Sequence, residues 1–284
     1  MVHRNRELGA GVSQPSVRVA GHLGEFLQGR IGPEGPVALV TLPCPSLALQ
    51  AWYRPGPGLT IHGSGQRLIT PERARRFLAR LDRRLSGHVK LRAAMPAGGG
   101  AGASTAALVA LARLAGVAPA PEPLASACVA AEGASDPLMF PHPEQLLWAS
   151  REGRVLGTFP PLPRMDVIGG FLGPVRRTDA GDGNFPDIAD LIGPWGRAAS
   201  TGRAETLAEI ASLSASRTLA LRGPRGDPTA ALARELGAMG FAMGHTGSAR
   251  ALLFVPGRIA PNAAAALRAA GMTGIVRFRV GVRQ

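Results

Sequence analysis

The first elements show as alternation of apolar and polar positions. In "SVRVAG" (16–21), "PVALVTLPCPSLALQAWY" (36–53) and "GLTIHG" (58–63) the pattern is that of β-strands, so the chain begins as sheet. Thr70-Pro71-Glu72 then supplies a helix start: a capping hydroxyl, a proline at the first helical position and an acid in the first turn. Ala74, Phe77, Leu78, Leu81 and Leu85 follow at helical spacing with arginines on the other face, and Gly87 is the stop signal. "HVKLRAAMP" (88–96) returns to alternation, with Val89, Leu91, Ala93 and Met95 on one side and Lys90 and Arg92 on the other, a strand with one wet face.

A glycine run comes next, then a helix over 104–114 closed by Gly116 and a second over 122–133. "GRVLGTFPPLPRMDVIGGFLG" (153–173) mixes strand-like stretches with a proline-rich segment at 160–163, where a seam divides the chain into domains of 1–158 and 159–284. Beyond it the pattern gives a helix over 204–214, another from the Asp227-Pro228 cap to Met239, a strand at 249–257, a helix over 261–270 and a strand at 274–283. On the last strand Val276, Phe278, Val280 and Val282 point inward and Arg277, Arg279 and Arg283 outward, as at a sheet edge. The class is α+β.

Composition narrows the functions. Length of 284 residues and 45% hydrophobic content suit one large domain or two modest ones. No apolar stretch reaches the roughly 18 uncharged residues of a membrane span, and the first residues lack the apolar centre of a signal peptide, so a cytoplasmic protein without a membrane partner is expected. Cys44 and Cys128 read as small buried hydrophobes. His3, His22, His62, His88, His142 and His245 have no metal-ligand spacing, so nothing points to zinc or iron; a Mg²⁺ shared with a phosphate substrate remains open. The net charge of +13 is spread along the chain in arginines, with Lys90 the single lysine and few aromatics for stacking on bases. An anionic small molecule is therefore expected rather than nucleic acid. The oligomeric state is open, a homodimer included.

"PAGGGAGASTAAL" (96–108) joins a strand to a helix. A Walker A loop needs a lysine near its end, and none is present. Gly98, Gly100 and Ala103 fit a Rossmann turn, but the alternating strand before them is unlike a central parallel strand buried on both faces. In every reading the glycines let backbone amides approach an anion, and the following helix adds unpaired N–H groups and the positive end of its dipole. Ser104 and Thr105 stand at that helix start, where a hydroxyl caps the helix or reaches a phosphate-bound Mg²⁺.

Pro96, Gly100, Gly102, Ser104 and Ala106 match the second motif of the GHMP kinases (galactokinase, homoserine, mevalonate and phosphomevalonate kinases). The run more closely resembles the variant carried by the L-threonine kinase branch, with Ser104-Thr105-Ala106 in register. Three further segments are similar to that branch in the same order: "AGHLGEFLQG" (20–29) with "LVTLPCP" (39–45), "EGASDPLMFP" (132–141) and "GHTGSARALLF" (244–254). The resemblance implies a GHMP kinase fold, an N-terminal domain like the second domain of ribosomal protein S5 and a ferredoxin-like C-terminal domain, with the active site between them.

It also implies roles. Pro96, Gly98, Gly99, Gly100, Ala101, Gly102, Ala103, Ser104 and Thr105 would wrap the phosphates of ATP, and Ser104 and Glu132 would hold Mg²⁺, a hard cation that takes hydroxyl and carboxylate oxygens. Asp136 would accept or orient the proton of an alcohol nucleophile. Glu25, Gln28, His245, Thr246 and Gly247 would meet the substrate, which the branch implies is L-threonine, phosphorylated on its hydroxyl on the way to cobalamin. Gly99, Ala103 and Ala107 stand where relatives carry lysine, serine and aspartate, and His22 replaces a threonine and receives no role.

Overall fold

The computed structural model describes residues 16–117, 120–175, 179, 181–245 and 247–282. The elements are β1 (Ser16–Arg30), β2 (Val37–Pro55), β3 (Leu59–His62), α1 (Pro71–Ala79), β4 (Gly87–Ala93), α2 (Ala103–Leu114), α3 (Pro121–Glu132), β5 (Leu146–Ala149), β6 (Arg154–Thr158) and β7 (Met165–Phe171). They continue with α4 (Ala189–Ser200), α5 (Ala204–Arg222), α6 (Thr229–Glu235), β8 (Gly240–Met243), β9 (Ala249–Phe254), α7 (Ala263–Ala269) and β10 (Thr273–Val280). The strands form one curled sheet in the order β10-β7-β9-β8-β1-β2-β4-β3, with β5 on β2 and β6 on β5. β3 and β4 pair in parallel and the other pairs are antiparallel.

The two halves of the sheet meet where Glu25 of β1 pairs with Met243 of β8. β1 is irregular there: its register on β2 shifts between Ala20 and Gly21, between His22 and Glu25, and between Glu25 and Leu27. Such bulges re-aim side chains. Gly24 sits in the bulge at φ +81, and a Cβ there would lie 2.5 Å from the Met243 carbonyl carbon, so only glycine fits. One hydrophobic core lies beneath α1, α2, α3 and α4, with Phe26, Phe77, Trp148 and Trp195 fully buried. A smaller one fills the space between the C-terminal strands and α6 and α7, around Phe241, Phe254, Leu267 and Met272. Both cysteines are buried. No helix among the described residues is long and apolar enough to cross a membrane.

Several boundaries differ from the sequence pattern. α1 has the expected cap, with the Thr70 hydroxyl accepting from the Arg73 amide, but it ends at Ala79 because the chain turns through Asp82 at φ +52; Leu85 is buried from the connection to β4 rather than from the helix. α5 runs on to Arg222 through a serine-rich stretch, because those serines are used: Ser214 Oγ accepts from the Gln28 amide at 2.9 Å and Ser212 Oγ from the Phe241 amide at 2.9 Å. α6 and α7 are shorter than the pattern predicts. α4 carries Pro194 inside it, which hid it from sequence, as shortness hid β5 and β8. β10 is the sheet edge with Arg277 and Arg279 exposed, but Val282 is exposed rather than inward, because the strand ends at Val280 and the chain turns at Gly281; Arg283 lies outside the described residues.

Candidate active site

The glycine run lines a cleft that α2 enters with its N-terminus. Gly98, Gly100 and Gly102 all have φ between +73 and +78, and α2 starts at Ala103. The cap position is Gly102, with no side-chain cap, so Ser104 is not the N-cap and its hydroxyl is free for another partner. A Cβ on Gly102 would come within 2.7 Å of Leu138 and 2.9 Å of the His22 ring. Gly247 presses on the back of the loop: a Cβ there would stand 2.4 Å from the Gly100 nitrogen, and the Ala249 amide donates to the Gly99 carbonyl at 3.1 Å. Gly99 is hemmed in, since a Cβ would lie 2.7 Å from Pro96 and 3.0 Å from the Phe171 ring. Pro96, Gly99 and Gly247 thus back the loop, while Gly98, Gly100, Ala101, Gly102, Ala103, Ser104 and Thr105 face the cleft.

Two consecutive hydroxyls of α2 each meet one carboxylate. Ser104 Oγ donates to Glu132 Oε1, across to the last residue of α3. Thr105 Oγ1 donates to Asp136 Oδ2 at 3.3 Å and accepts from the Asp136 amide at 3.3 Å. The turn that brings Asp136 there begins at Gly133, the left-handed C-cap of α3. It is tied down by Ser135, whose amide donates to the Ser150 carbonyl at 2.8 Å and whose carbonyl accepts from Trp148 Nε1 at 2.6 Å. Arg73 comes over the same edge, donating to the Ala131 carbonyl through Nη2 at 2.7 Å and Nε at 3.1 Å, with Nη2 3.6 Å from Glu132. Arg67 and Arg151 also line the cleft.

Behind Asp136 lies a residue the sequence left without a role. His22 Nε2 is 3.5 Å from Asp136 Oδ1, and His22 Nδ1 is 3.2 Å from Glu25 Oε1. Burial works against charge on the imidazole, but the Glu25 and Asp136 carboxylates outweigh it and raise His22 to about 9. Burial pushes Glu25 up to about 8, with Asp136 adding and His22 offsetting. Burial would also raise Asp136, yet the nearby charge of His22 and the Thr105 hydroxyl hold it below the usual carboxylate range. The directions agree on a proton retained by the Glu25–His22 pair and a negative charge on Asp136. Lone histidines carry no spacing signal, so only the bulge on β1 could have hinted at His22.

The remaining residues divide. Gln28 is not brought to the cleft: its Nε2 donates to the Met243 carbonyl at 3.1 Å and its amide to Ser214, so it joins β1 to β8 and α5. His245 is at the cleft, its ring stacked on Phe185 at 4.2 Å with 9° between planes. Burial and the charges of Arg222 and Arg151 lower it to about 3, so it is neutral. Arg222 lies 4.7 Å over the other aromatic partner, Phe185, and is paired with Asp182. Thr246 lies outside the described residues.

Comparison with solved structures decides the architecture. The chain is similar to mevalonate kinase of L. major, with R-mevalonate bound, at TM-score 0.64 and 14% identity over 96% of this chain and 98% of that one. It is similar to homoserine kinase from Cytophaga hutchinsonii at TM-score 0.60 and 16% identity, covering 98% of each chain. A 4-(cytidine 5'-diphospho)-2C-methyl-D-erythritol kinase gives TM-score 0.61 and 20% identity over 94% of this chain and all of that one, at 100%. The fold is that of the GHMP kinases. No family model and no curated protein matches the sequence.

Within this GHMP kinase fold, the donor set suits a hard cation. The Ser104 hydroxyl and the Glu132 carboxylate stand side by side at the positive end of α2, and Mg²⁺ prefers such oxygens.

Proposed function

We propose that this chain is an ATP-dependent small-molecule kinase that transfers the γ-phosphoryl group of ATP to an alcohol, with L-threonine as acceptor and O-phospho-L-threonine as product, serving cobalamin biosynthesis. The observation that carries the reading is the pairing of Ser104 with Glu132 and of Thr105 with Asp136 at the glycine-loaded start of α2. Phosphoryl transfer is mostly positioning and charge neutralisation, and this cleft supplies both.

The loop amides and the α2 N-terminus would hold the ATP phosphates, and Ser104 and Glu132 would hold Mg²⁺, which supplies charge neutralisation at the β- and γ-oxygens. The space a loop lysine would use is closed at Gly99 by Pro96 and Phe171, so its charge falls to Arg67 and Arg73, which line the same cleft. Asp136 takes the proton of the acceptor hydroxyl as that oxygen bonds to the γ-phosphorus and ADP leaves. His245, uncharged and held flat against Phe185, faces the acceptor from the 159–284 domain, across from the ATP-binding domain 1–158. Glu25 lies in the floor of the cleft, 1% exposed, and its part is taken up below.

One observation favours a second reading, nucleotide binding without turnover. Ala103 and Ala107 are buried, and neither offers the polar group that the family motif has there. Mg-ATP with L-threonine, followed by detection of ADP and phosphothreonine, tests the proposal. Formation of both supports it; ATP bound without transfer to L-threonine or L-homoserine supports the second reading and overturns the first. Transfer to L-homoserine alone keeps the kinase and replaces its substrate, in line with the homoserine kinase among the similar structures.

A further inference from the structure

Glu25, His22 and Asp136 make a line that runs from the interior to the cleft. Side-chain exposure rises along it, 0% for Glu25, 3% for His22 and 26% for Asp136. The imidazole meets the two carboxyls with opposite nitrogens, Nδ1 at 3.2 Å from Glu25 and Nε2 at 3.5 Å from Asp136. The two carboxyls flank opposite edges of the ring, so the three groups run as a chain from the interior to the cleft. Burying a carboxyl and an imidazole without partners costs several kcal/mol in general, on the order of 2–7 for a neutral polar group, and neither Glu25 oxygen has a hydrogen bond of good geometry among the described residues. Their retention in the floor of the cleft therefore needs a reason other than stability.

We propose that Glu25 and His22 are a buried positioning relay for Asp136: the imidazolium aims the Asp136 carboxylate at the cleft and keeps it ionised, and Glu25 fixes the ring from behind. The claim rests on the kinase reading for the step it serves, proton acceptance from the acceptor alcohol. Local geometry is built around the ring. Nδ1 also lies 3.3 Å from the Gly24 carbonyl, so it carries a proton toward the interior, and Nε2 faces Asp136 Oδ1 at 3.5 Å as a charge contact without a hydrogen bond of good geometry. Gly102 leaves the space the ring occupies, since a Cβ there would lie 2.9 Å from His22 Cδ2. The titratable groups facing the relay are Glu25 from β1, Asp136 from the turn after α3 and, beside Asp136, the neutral His245 from across the cleft.

Two measurements test it on the full chain. Histidine is labelled with ¹⁵N, the His22 ring is assigned with His22→Asn, and its titration is followed in the wild type, Glu25→Gln and Asp136→Asn. The relay predicts a ring protonated through neutral pH in the wild type and a midpoint lower by more than about one pH unit in Asp136→Asn. A midpoint at the ordinary histidine value, or one that ignores Asp136→Asn, overturns it. With Mg-ATP and L-threonine, His22→Asn lowers kcat on the order of a hundredfold with KM for ATP unchanged, and His22→Lys restores part of the loss by returning the cation. Equal loss in both variants overturns the proposal. If the wild type transfers no phosphoryl group while the ring titrates as stated, the relay stands and the kinase reading fails.

Discussion

The hydroxyl of Ser104 donates to a carboxylate oxygen of Glu132, tying the first turn of α2 to the last residue of α3. Both ligands of the proposed Mg²⁺ thus sit on helices that pack into the main core, not on free loops, and their spacing is set before any cation binds. Ser104→Ala and Glu132→Gln are each expected to lower turnover by roughly 10–100-fold and to raise the Mg²⁺ needed for half-maximal rate. Initial rates against Mg²⁺ at fixed ATP check this, and wild-type curves for both variants would remove the assignment.

Arg73 holds the end of α3 through the Ala131 carbonyl and approaches Glu132 from the cleft side. Its side chain is 43% exposed, so water screens its charge and the effect of removing it is modest. Arg73→Ala is expected to weaken ATP binding by about 1 kcal/mol, roughly fivefold, and the double variant with Arg67→Ala by more. Calorimetric titration with ATP reads both values. An unchanged Kd in the double variant would show that the arginines do not stand in for the loop lysine.

How far the sequence exposes this site depends on how local each part is. The glycine loop and the start of α2 are read from short segments, because turn chemistry and helix caps are set by neighbours in the chain, whereas Glu132 and Asp136 were named only through the family resemblance. His22 was invisible, because its meaning comes from Asp136, which only the fold brings to it. Gln28 is placed by the fold as well: it sits in a motif beside Glu25, but strand alternation and a bulge turn it toward β8 and α5. The longer strands were found by alternation, whereas β5 and β8 were too short and α4 was hidden by Pro194, whose cost the burial of Leu191 and Trp195 offsets.

The relay carries a pH signature in stability. Folded Glu25 keeps its proton up to about 8 against 4.5 when exposed, and folded His22 keeps its own up to about 9 against 6.5. Between those limits the native state binds protons that the unfolded chain has released, so stability is full at the acid side and falls as pH rises. The melting temperature is expected to fall from pH 6.5 to 9, and Glu25→Gln, which cannot lose a proton, is expected to flatten that slope. Scanning calorimetry across the range checks it; a wild type whose melting temperature rises from 7 to 9 contradicts the protonation states given to the cluster.

The loop that backs the glycine run depends on a buried ion pair further along the chain. Arg250 and Asp227 are 3% and 4% exposed, with Nε and Nη2 donating to Asp227 Oδ2 at 3.0 and 2.9 Å. The same guanidinium donates through Nη1 to the carbonyls of Gly247 at 3.3 Å and Ala249 at 2.9 Å, while Asp227 accepts from the Thr229 amide at 3.0 Å at the start of α6. Asp227→Ala therefore strands a buried cation and uncaps α6 at once, and such a break costs about 3–5 kcal/mol. Because Gly247 touches Gly100, the damage should reach the phosphate loop, raising KM for ATP even at temperatures where the variant is folded. Denaturant unfolding measures the first effect and steady-state kinetics the second. A stability loss below 1 kcal/mol would mean that water reaches Arg250, and a normal KM would mean that the 244–254 segment does not support the loop.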